Sequence, residues 1–303
     1  MTPSELRWGV LGAADIADRA LIPALQAASG NRLLAIAARD QGRAAAMARR
    51  HGIERVHRGY AELLADPELD AVYLPLANHL HREWTLRALE AGKHVLCEKP
   101  LALDRTQGEE MATAAAASGR LLMEAVMYRF HPRIRELVAS LESAPIRHLS
   151  ASFGFPIASP ENYRLQAQMG GGALLDTGFY VADVARWLLG EPERVEAIMH
   201  GRGVDMSCSA LLGFAGGSQA SLYCSFESAE YQELVVVCQD RVVRLERPFS
   251  AWRDPYDPYQ IMVEEFAEAA RSGASAPVPL ESSLANLALL DRIRAAAADQ
   301  GGG

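Results

Sequence analysis

Residues 6–17 read LRWGVLGAADIA, and this stretch decides how the first part of the chain folds. Residues 6–12 are mostly apolar and predict a short buried strand, and a helical pattern follows directly at residues 17–29. A strand that passes through a tight glycine turn into a helix is where dinucleotide-binding folds hold a pyrophosphate, on the helix N-terminus. The sequence therefore predicts a nucleotide site formed by Gly12, Ala13, Ala14, Asp15 and Ile16.

The glycine fingerprint of this turn is degenerate. From Gly12 it reads GAADIA, with alanine at the positions of the second and third glycine. Alanine still permits a close approach of the backbone to a ligand, but it is less permissive than glycine. A tight strand-to-helix turn without any ligand would show the same pattern, so this segment alone leaves cofactor binding open.

Strand and helix patterns alternate along the first 130 residues. Strands are predicted at residues 31–39, around 56, at 70–76, 94–98 and 121–127, and helices at 41–51, 60–64, 80–90 and 104–118. Alternation at this spacing predicts a doubly wound parallel sheet that is covered by helices on both faces.

The second part of the chain predicts a different architecture. Strand-like runs lie at residues 149–155, 195–202, 207–214, 218–226 and 233–245. Several are joined by short glycine turns, which favours antiparallel hairpins. One helix is predicted at 173–189, and the tail from Tyr259 onward is helical. The chain is thus expected to be α/β, with a doubly wound domain followed by a helix-backed antiparallel sheet and a boundary near residues 121–130.

The charge of the chain argues against two classes of partner. Its formal net charge is −8, and an acidic protein gains nothing from general attraction to nucleic acid or to an anionic membrane. A local group of arginines is more typical of a solvated face than of a nucleic-acid site; it comprises Arg49, Arg50, Arg55 and Arg58. We therefore expect no nucleic-acid or membrane partner, and any bound anion must be held by a local arrangement.

Cysteine spacing and hydropathy bear on metals and on compartment. The cysteines form no C-x-x-C pair and none lies near a histidine at metal spacing, which predicts no metal site; they are Cys97, Cys208, Cys224 and Cys238. No basic region followed by a long apolar stretch opens the chain, and no run approaches the length of a membrane span. A reducing cytoplasm is the expected compartment.

The end of the second predicted strand bears on the choice between NAD and NADP. NAD-type sites place an acid there, about 20 residues after the glycine turn, to bind the ribose hydroxyls. Arg39 takes approximately that place, and Arg43 lies one helical turn beyond it. A guanidinium suits a 2′-phosphate through paired hydrogen bonds, which favours NADP. Asp40 is the competing signal, because its carboxylate could bind the ribose of NAD. Alternatively, Arg39 and Arg43 are solvated surface arginines without a role in cofactor binding.

The first chemical motif is Glu98-Lys99-Pro100, at the end of the fifth predicted strand. Functional groups of open parallel sheets gather at the carboxyl ends of the strands. A lysine there could fix a substrate oxygen or favour ionisation of a neighbouring acid. A solvated lysine that simply follows a strand is the alternative.

The second motif spans residues 170–183, GGGALLDTGFYVAD. Three glycines let a backbone approach a ligand or turn sharply. If the rest is a regular helix, Asp176, Tyr180 and Asp183 lie on one face. A lysine cation lowers the pKa of a tyrosine, ordinarily about 10, so Lys99 and Tyr180 form a candidate acid/base pair. The alternative is that the tyrosine lies on a helix surface and the acid caps a turn, with no part in catalysis.

These motifs together resemble the glucose–fructose oxidoreductase / inositol dehydrogenase / MocA family over essentially the whole chain, and MEAVMYRFHP at 123–132 is also typical of it. The resemblance implies an N-terminal NADP-binding Rossmann domain at residues 1–125. It implies a C-terminal α+β domain at 126–303, with a large, mostly antiparallel open sheet that binds substrate and forms oligomers. Lys99 is then the catalytic lysine, commonly followed by a cis peptide, and Asp176 and Tyr180 face the substrate.

Tyr180 stands where many inositol dehydrogenase-like members have histidine, which is typical of the branch with NADP-dependent D-xylose dehydrogenase and dimeric dihydrodiol dehydrogenase. The resemblance therefore implies an NAD(P)-dependent oxidoreductase that moves hydride between nicotinamide and a sugar, polyol or related compound. NADP is the expected cofactor, with NAD as the alternative, and a homodimer or higher homo-oligomer is expected. The rival functions are a trans-dihydrodiol dehydrogenase, a ketosugar reductase and a nicotinamide-binding regulator without turnover.

The resemblance also adds residues to the predicted site. The segment YLPLANHLH at 73–81 looks like a cofactor wall. The further predicted cofactor contacts are Leu76, Asn78, His81, Glu98, Lys99, Pro100 and Arg129. The predicted substrate contacts are Met127, Phe155, Tyr163, Arg164, Asp176 and Tyr180. Met127 weakens the dihydrodiol dehydrogenase alternative, because that enzyme type carries tryptophan there.

Overall fold

The structure is a computed structural model that describes residues 5–142, 144–251, 253 and 255–300. The chain divides into two units. The first comprises Met1–Ala102, Thr106–His131 and Ala251–Ser283, and the second comprises Leu103–Arg105, Pro132–Ser250 and Leu284–Gly303.

A six-stranded parallel sheet forms the centre of the first unit, in the order β3-β2-β1-β4-β5-β6. Its strands are β1 (Leu6–Leu11), β2 (Asn31–Ala37), β3 (Arg55–His57), β4 (Ala71–Leu74), β5 (His94–Glu98) and β6 (Leu122–Ala125). The strand order reverses between β1 and β4, and open α/β sheets bind ligands at such a switch point. The predicted doubly wound parallel sheet is confirmed.

A second six-stranded sheet has the order β12-β11-β7-β10-β9-β8. Its strands are β7 (Ile146–Gly154), β8 (Arg194–Arg202), β9 (Val204–Gly213), β10 (Gln219–Ser225), β11 (Tyr231–Cys238) and β12 (Val242–Glu246). Neighbouring strands are antiparallel, except for the parallel pair β7 and β10. The expected mostly antiparallel sheet is confirmed.

The helices of the chain are α1 (Ile22–Ala27), α2 (Gln41–His51), α3 (Tyr60–Leu64), α4 (His81–Glu90), α5 (Arg105–Ser118), α6 (Pro132–Leu141), α7 (Phe179–Leu189), α8 (Pro258–Ser272) and α9 (Leu280–Gln300). Helix α8 belongs to the first unit although it follows the second sheet in sequence. The ring of Phe266 on α8 lies 5.1 Å from that of Trp8 on β1, and both side chains are fully buried. In the part of the chain that the structure describes, no helix is both long and apolar enough to cross a membrane.

The predicted bounds of three elements are wrong. The single strand predicted at 233–245 is the hairpin β11–β12, because the polar residues 239–241 turn the chain and Cys238 N donates to Arg241 O (2.8 Å). The helical tail is interrupted after α8 by Gly273, which has φ +70° and ends the helix. The strand predicted to reach residue 127 stops at Ala125 and is followed by a 3₁₀ turn at Met127–Phe130.

Two predicted helices begin with a π turn. The turn Ala17–Leu21 precedes α1, and the turn Leu174–Gly178 precedes α7. A π turn holds more residues than an α turn, so spacings counted through it do not follow the 3.6-residue period. The expectation that Asp176, Tyr180 and Asp183 share one face of a regular helix is therefore wrong in its premise, because Asp176 lies within the π turn.

Candidate active site

The turn after β1 is shaped to admit an anionic ligand. Gly12 has φ +127°, and a Cβ there would lie 3.0 Å from Leu76 Cδ2 and 3.3 Å from Pro75 O, so a side chain would be strained and crowded. The first helical hydrogen bond runs from Asp18 N to Ala14 O (3.1 Å). The N–H groups before it are those that a helix leaves without an internal acceptor, and they bind phosphate in dinucleotide folds. The turn unites Gly12, Ala13, Ala14, Asp15 and Ile16 and fits a pyrophosphate.

The arginines that follow β2 lie beside this turn. Arg43 Nη2 donates to Ala13 O (2.8 Å) and lies 3.8 Å from Asp15 Oδ1, so α2 is tied to the turn after β1. Asp40 Oδ1 accepts from Arg43 N (3.0 Å) and caps α2. Asp40 was the residue that the sequence offered as a ribose ligand of NAD, and in the structure its carboxylate caps a helix. Arg39 is exposed at the end of β2.

His81 is buried between the loop that follows β4 and the loop that follows β5. Its side chain is fully buried, with Nδ1 2.8 Å from Pro100 O and Nε2 3.0 Å from Leu76 O. Burial lowers the pKa of His81, although the two carbonyl groups oppose this. Asn78, buried in the 3₁₀ turn Asn78–Leu80, lies between the same loops in sequence. His81 therefore lies between the two carbonyl groups, and its neutral imidazole, which has a single N–H, donates to one of them at a time.

The turn that carries Lys99 is fixed on both sides. The Lys99–Pro100 peptide is cis, as the resemblance implies. Before it, Tyr73 Oη donates to Glu98 Oε1 (2.6 Å), and burial raises the pKa of this tyrosine, so it stays a donor. After it, Leu101 N donates to Glu124 Oε1 (2.5 Å). Lys99 itself is half-buried at the carboxyl end of β5.

Two further predicted contacts lie in the 3₁₀ turn after β6. Met127 and Arg129 are both buried, and Arg129 Nη1 donates to Ser282 Oγ (3.1 Å). The turn therefore belongs to the interior of the first unit, where the buried guanidinium is held by α9.

In the second unit, the structure brings four predicted residues together. Arg164 Nε donates to Asp176 Oδ2 (2.7 Å), and the Asp176 charge raises the pKa of Arg164. The guanidinium carbon lies 4.9 Å from the centre of the Tyr163 ring. Tyr180 also contributes to the electrostatic environment of Arg164. The sequence indicated each residue separately, but the Arg164–Asp176 ion pair was not predicted.

Aromatic rings surround Tyr180. Its ring centre lies 5.4 Å from those of Phe153 and Phe249 and 5.6 Å from that of Phe179. The predicted contact Phe155 continues this group, 6.1 Å from Phe153. Sequence reasoning missed Phe153 and Phe249. Phe153 had a signal, because residues two apart on a strand share a face, whereas Phe249 had none.

Comparison with known proteins agrees with both units. Residues 6–126 match an oxidoreductase family with an NAD-binding Rossmann fold (GFO_IDH_MocA), and residues 131–244 match the GFO/IDH/MocA C-terminal domain. An uncharacterized oxidoreductase of Rhizobium meliloti is 39% identical, over 96% of this chain and 97% of that protein. D-xylose 1-dehydrogenase (NADP(+)) 2 of Haloferax volcanii is 35% identical, over 95% and 96%.

Among solved structures, a 3-ketoreductase from Actinomadura kijaniata in complex with NADP and TDP-benzene superposes with a TM-score of 0.87. It is 35% identical and the match covers 97% of this chain and 98% of that one. Both the parallel nucleotide-binding unit and the open-sheet unit thus have counterparts over nearly the full length. The chain belongs to the GFO/IDH/MocA family and is an NAD(P)-dependent oxidoreductase.

Proposed function

We propose that this oxidoreductase prefers NADP and transfers hydride to or from a hydroxyl-bearing carbon of a sugar, with D-xylose or a similar aldose as the first candidate. The observation that carries the proposal is the Arg164–Asp176 ion pair beside the aromatic group around Tyr180. Small-molecule sites combine apolar and aromatic walls with a few placed polar groups. A sugar offers hydroxyls to the ion pair and carbon–hydrogen faces to the rings.

The proposed chemistry involves three side chains. Bound nicotinamide accepts or supplies the hydride. Tyr180 Oη accepts the hydroxyl proton during oxidation and returns it during reduction. The Lys99 ammonium stabilises the phenolate form of Tyr180 by its opposite charge. Asp176 fixes Arg164 and accepts a hydrogen bond from a substrate hydroxyl.

The preference for NADP rests on the arginines that follow β2. A 2′-phosphate is bound by guanidinium groups, and Arg39 and Arg43 lie at the edge where the pyrophosphate turn begins. Asp40 supports this choice because its carboxylate caps α2. The turn at residues 12–16 would bind the pyrophosphate, and the loops around Leu76, Asn78 and Glu98 would line the rest of the cofactor.

A ketosugar reductase acting on a nucleotide-linked sugar is the second candidate. The half-exposed guanidinium of Arg164 donates through Nε to Asp176, and its terminal nitrogens could bind an anionic substituent. The structural similarity to the Actinomadura 3-ketoreductase, which was crystallised with TDP-benzene, favours this candidate.

The test is a parallel screen that follows the absorbance of reduced nicotinamide. Aldoses, polyols and a trans-dihydrodiol are offered with NADP⁺ or NAD⁺, and a dTDP-linked ketosugar is offered with NADPH or NADH. We expect oxidation of at least one aldose, with at least about a tenfold preference for NADP in kcat/KM, which is about 1.4 kcal/mol. A tenfold preference for NAD, or turnover of the nucleotide sugar alone, would contradict the primary proposal.

We further propose that the protein forms a homodimer or larger homo-oligomer through the open face of its second sheet. Ile198 on β8 and Leu211 on β9 are 67% and 57% exposed, which is unusual for large apolar residues on adjacent strands. Light scattering after gel filtration should show a mass of at least two chains. Ile198→Asp should reduce it to one chain, and a monomeric wild-type protein would refute the proposal.

A further inference from the structure

The glycines at residues 171 and 172 fit against the protein's own groups. A Cβ on Gly171 would lie 2.4 Å from Arg164 O, and Gly172 N donates to that same oxygen (2.9 Å). A Cβ on Gly172 would lie 2.1 Å from Asp205 Oδ1, and Gly172 has φ +115°. The first contact is with fixed backbone, and the second would force the Asp205 carboxylate to move in addition to the strain of a positive φ. These two glycines therefore make room for other groups of the protein itself, and no bound ligand is needed to explain them.

Asp205 reaches the beginning of the helical segment from a different element. It lies on β9, and its Oδ2 accepts from Leu174 N (2.6 Å), 31 residues away in sequence. Leu174 begins the π turn that leads into α7, and the residue at the N-cap position, Ala173, has no side-chain acceptor to offer. The first N–H groups of a helical segment lack internal acceptors, and a carboxylate there also interacts favourably with the helix dipole.

We propose that Asp205 is a positioning residue for the reaction: its carboxylate anchors the start of the helical segment that carries Asp176 and Tyr180, and Gly172 leaves room for it. This rests on the roles proposed above for those two side chains. Asp176 and Tyr180 follow the anchored amide of Leu174 by two and six residues. Loss of the anchor lets the π turn shift, and a displacement of about 1 Å at a reacting group can reduce turnover about a hundredfold.

The main test variant is Asp205→Ala, which removes both oxygens that could accept from Leu174 N. We expect faster hydrogen exchange at residues 173–180, measured without cofactor or substrate. We also expect kcat to fall about tenfold to a hundredfold. The KM for NADP should stay within about twofold, because the predicted cofactor contacts belong to the first unit. Asp240→Ala, in the exposed β11–β12 turn, is the matched control and should change neither the exchange rates nor the kinetic constants.

The second test uses Gly172→Ala, whose methyl group would collide with Asp205 Oδ1. Gly203→Ala is its control, because Gly203 also has positive φ (+80°) but has open space around the added carbon. If the collision matters, the loss of stability caused by Gly172→Ala should be smaller in an Asp205→Ser background than in the wild type. Contacting residues show such non-additivity, and independent sites do not.

The outcomes separate this inference from the proposed function. If Tyr180→Phe abolishes turnover while Asp205→Ala keeps wild-type exchange and kcat, the inference is overturned and the proposed function stands. If Asp205→Ala speeds exchange at 173–180 but leaves kcat unchanged, Asp205 is structural and the positioning role is overturned. If Tyr180→Phe retains full turnover, the proposed function fails, and the exchange data still decide whether Asp205 anchors the helix. Should Asp205→Ala not fold, additive Gly172→Ala and Asp205→Ser effects would overturn the inference.

Discussion

The predicted cofactor residues of the first unit and the predicted substrate residues of the second are held in different ways. Gly12 and Lys99 lie in short turns at the carboxyl ends of parallel strands, each followed by a helix or a fixed loop. Asp176 and Tyr180 lie on a helical segment whose start is held by Asp205 from a distant strand. Strand order thus brings the first group to one edge of the sheet, where bonds such as Tyr73 to Glu98 fix the turns, whereas no strand end places the second group and a distant carboxylate holds the start of its segment. The following predictions test whether this difference extends to function.

The largest effect is expected at Lys99. Lys99→Met removes the charge that we propose to stabilise the Tyr180 phenolate, so kcat should fall by about 10²–10⁴-fold, the usual contribution of assisted proton transfer. The affinity for the cofactor should change far less, measured by the fluorescence of NADPH or, for NADP⁺, by calorimetry. Lys99→Arg keeps a cation and should recover part of the rate. Wild-type turnover by the Lys99→Met variant would contradict the proposed mechanism.

Tyr180→Phe should have the next largest effect. The ring remains among Phe153, Phe179 and Phe249, so the thermal unfolding midpoint should stay unchanged while kcat falls about a hundredfold or more. Steady-state kinetics and a thermal melt on the same preparation measure both. Tyr256→Phe, at a side chain that is 53% exposed, serves as the control and should match the wild type. Undiminished turnover in Tyr180→Phe would exclude the proton-transfer role.

A change in cofactor preference is expected from Arg39→Ala. Loss of its guanidinium should lower the ratio of kcat/KM for NADP to that for NAD by about tenfold, or about 1.4 kcal/mol. Arg43→Ala should act in the same direction and also weaken both cofactors, because its bond to Ala13 O is lost. Arg49→Ala, at an exposed arginine of α2, is the control and should leave this ratio unchanged. An unchanged ratio in both variants would remove the structural argument for NADP.

The smallest expected effect is a pH dependence of stability. Burial lowers the pKa of His81, so its neutral form is favoured in the folded state. Its contribution to stability is therefore present above the unfolded pKa of about 6.5 and is lost as the pH falls through the folded pKa. His81→Gln should flatten the fall in the free energy of unfolding below that pH. His200→Gln, at an exposed histidine, should leave the pH profile unchanged.

One complication must be controlled in that experiment. Burial also lowers the pKa of His94, so it contributes to stability over the same pH range. His94→Gln should flatten the profile independently. The two effects should add because His81 lies against Leu76 and Pro100, whereas His94 accepts from Leu121 N. An identical pH profile in wild type and His81→Gln would contradict the view that His81 is buried neutral between Leu76 and Pro100.

The sequence predicts the first unit better than the second for a physical reason. Buried parallel strands are continuous apolar runs, and the functional groups follow them at fixed places, so Gly12 and Lys99 were identified from the pattern. The bond from Arg43 to Ala13 O was not, because it depends on the reach of one side chain between two elements. The return of α8 to pack on Trp8 is likewise invisible in a local pattern.

In the second unit, local patterns marked the residues but not their partners. The run at residues 170–183 indicated Asp176 and Tyr180, yet the three glycines suggested a ligand, whereas two of them make room for Arg164 O and the Asp205 carboxylate. The π turn at Leu174–Gly178 has no periodic signature that distinguishes it from an α-helix. The polar turn that divides β11 from β12 was hidden between two apolar runs. Contacts across a sheet follow from tertiary packing, which one sequence does not display.

The most direct measurement follows the hydride itself. D-xylose or the best aldose of the screen, carrying deuterium at C1, is incubated with enzyme and NADP⁺, and the reduced cofactor is analysed by mass spectrometry. We predict one deuterium in the reduced nicotinamide with the wild-type enzyme, and a rate of label transfer that falls about a hundredfold or more in Lys99→Met and in Tyr180→Phe. Reduced cofactor without deuterium, or undiminished transfer in both variants, would contradict the proposed reaction and its residues.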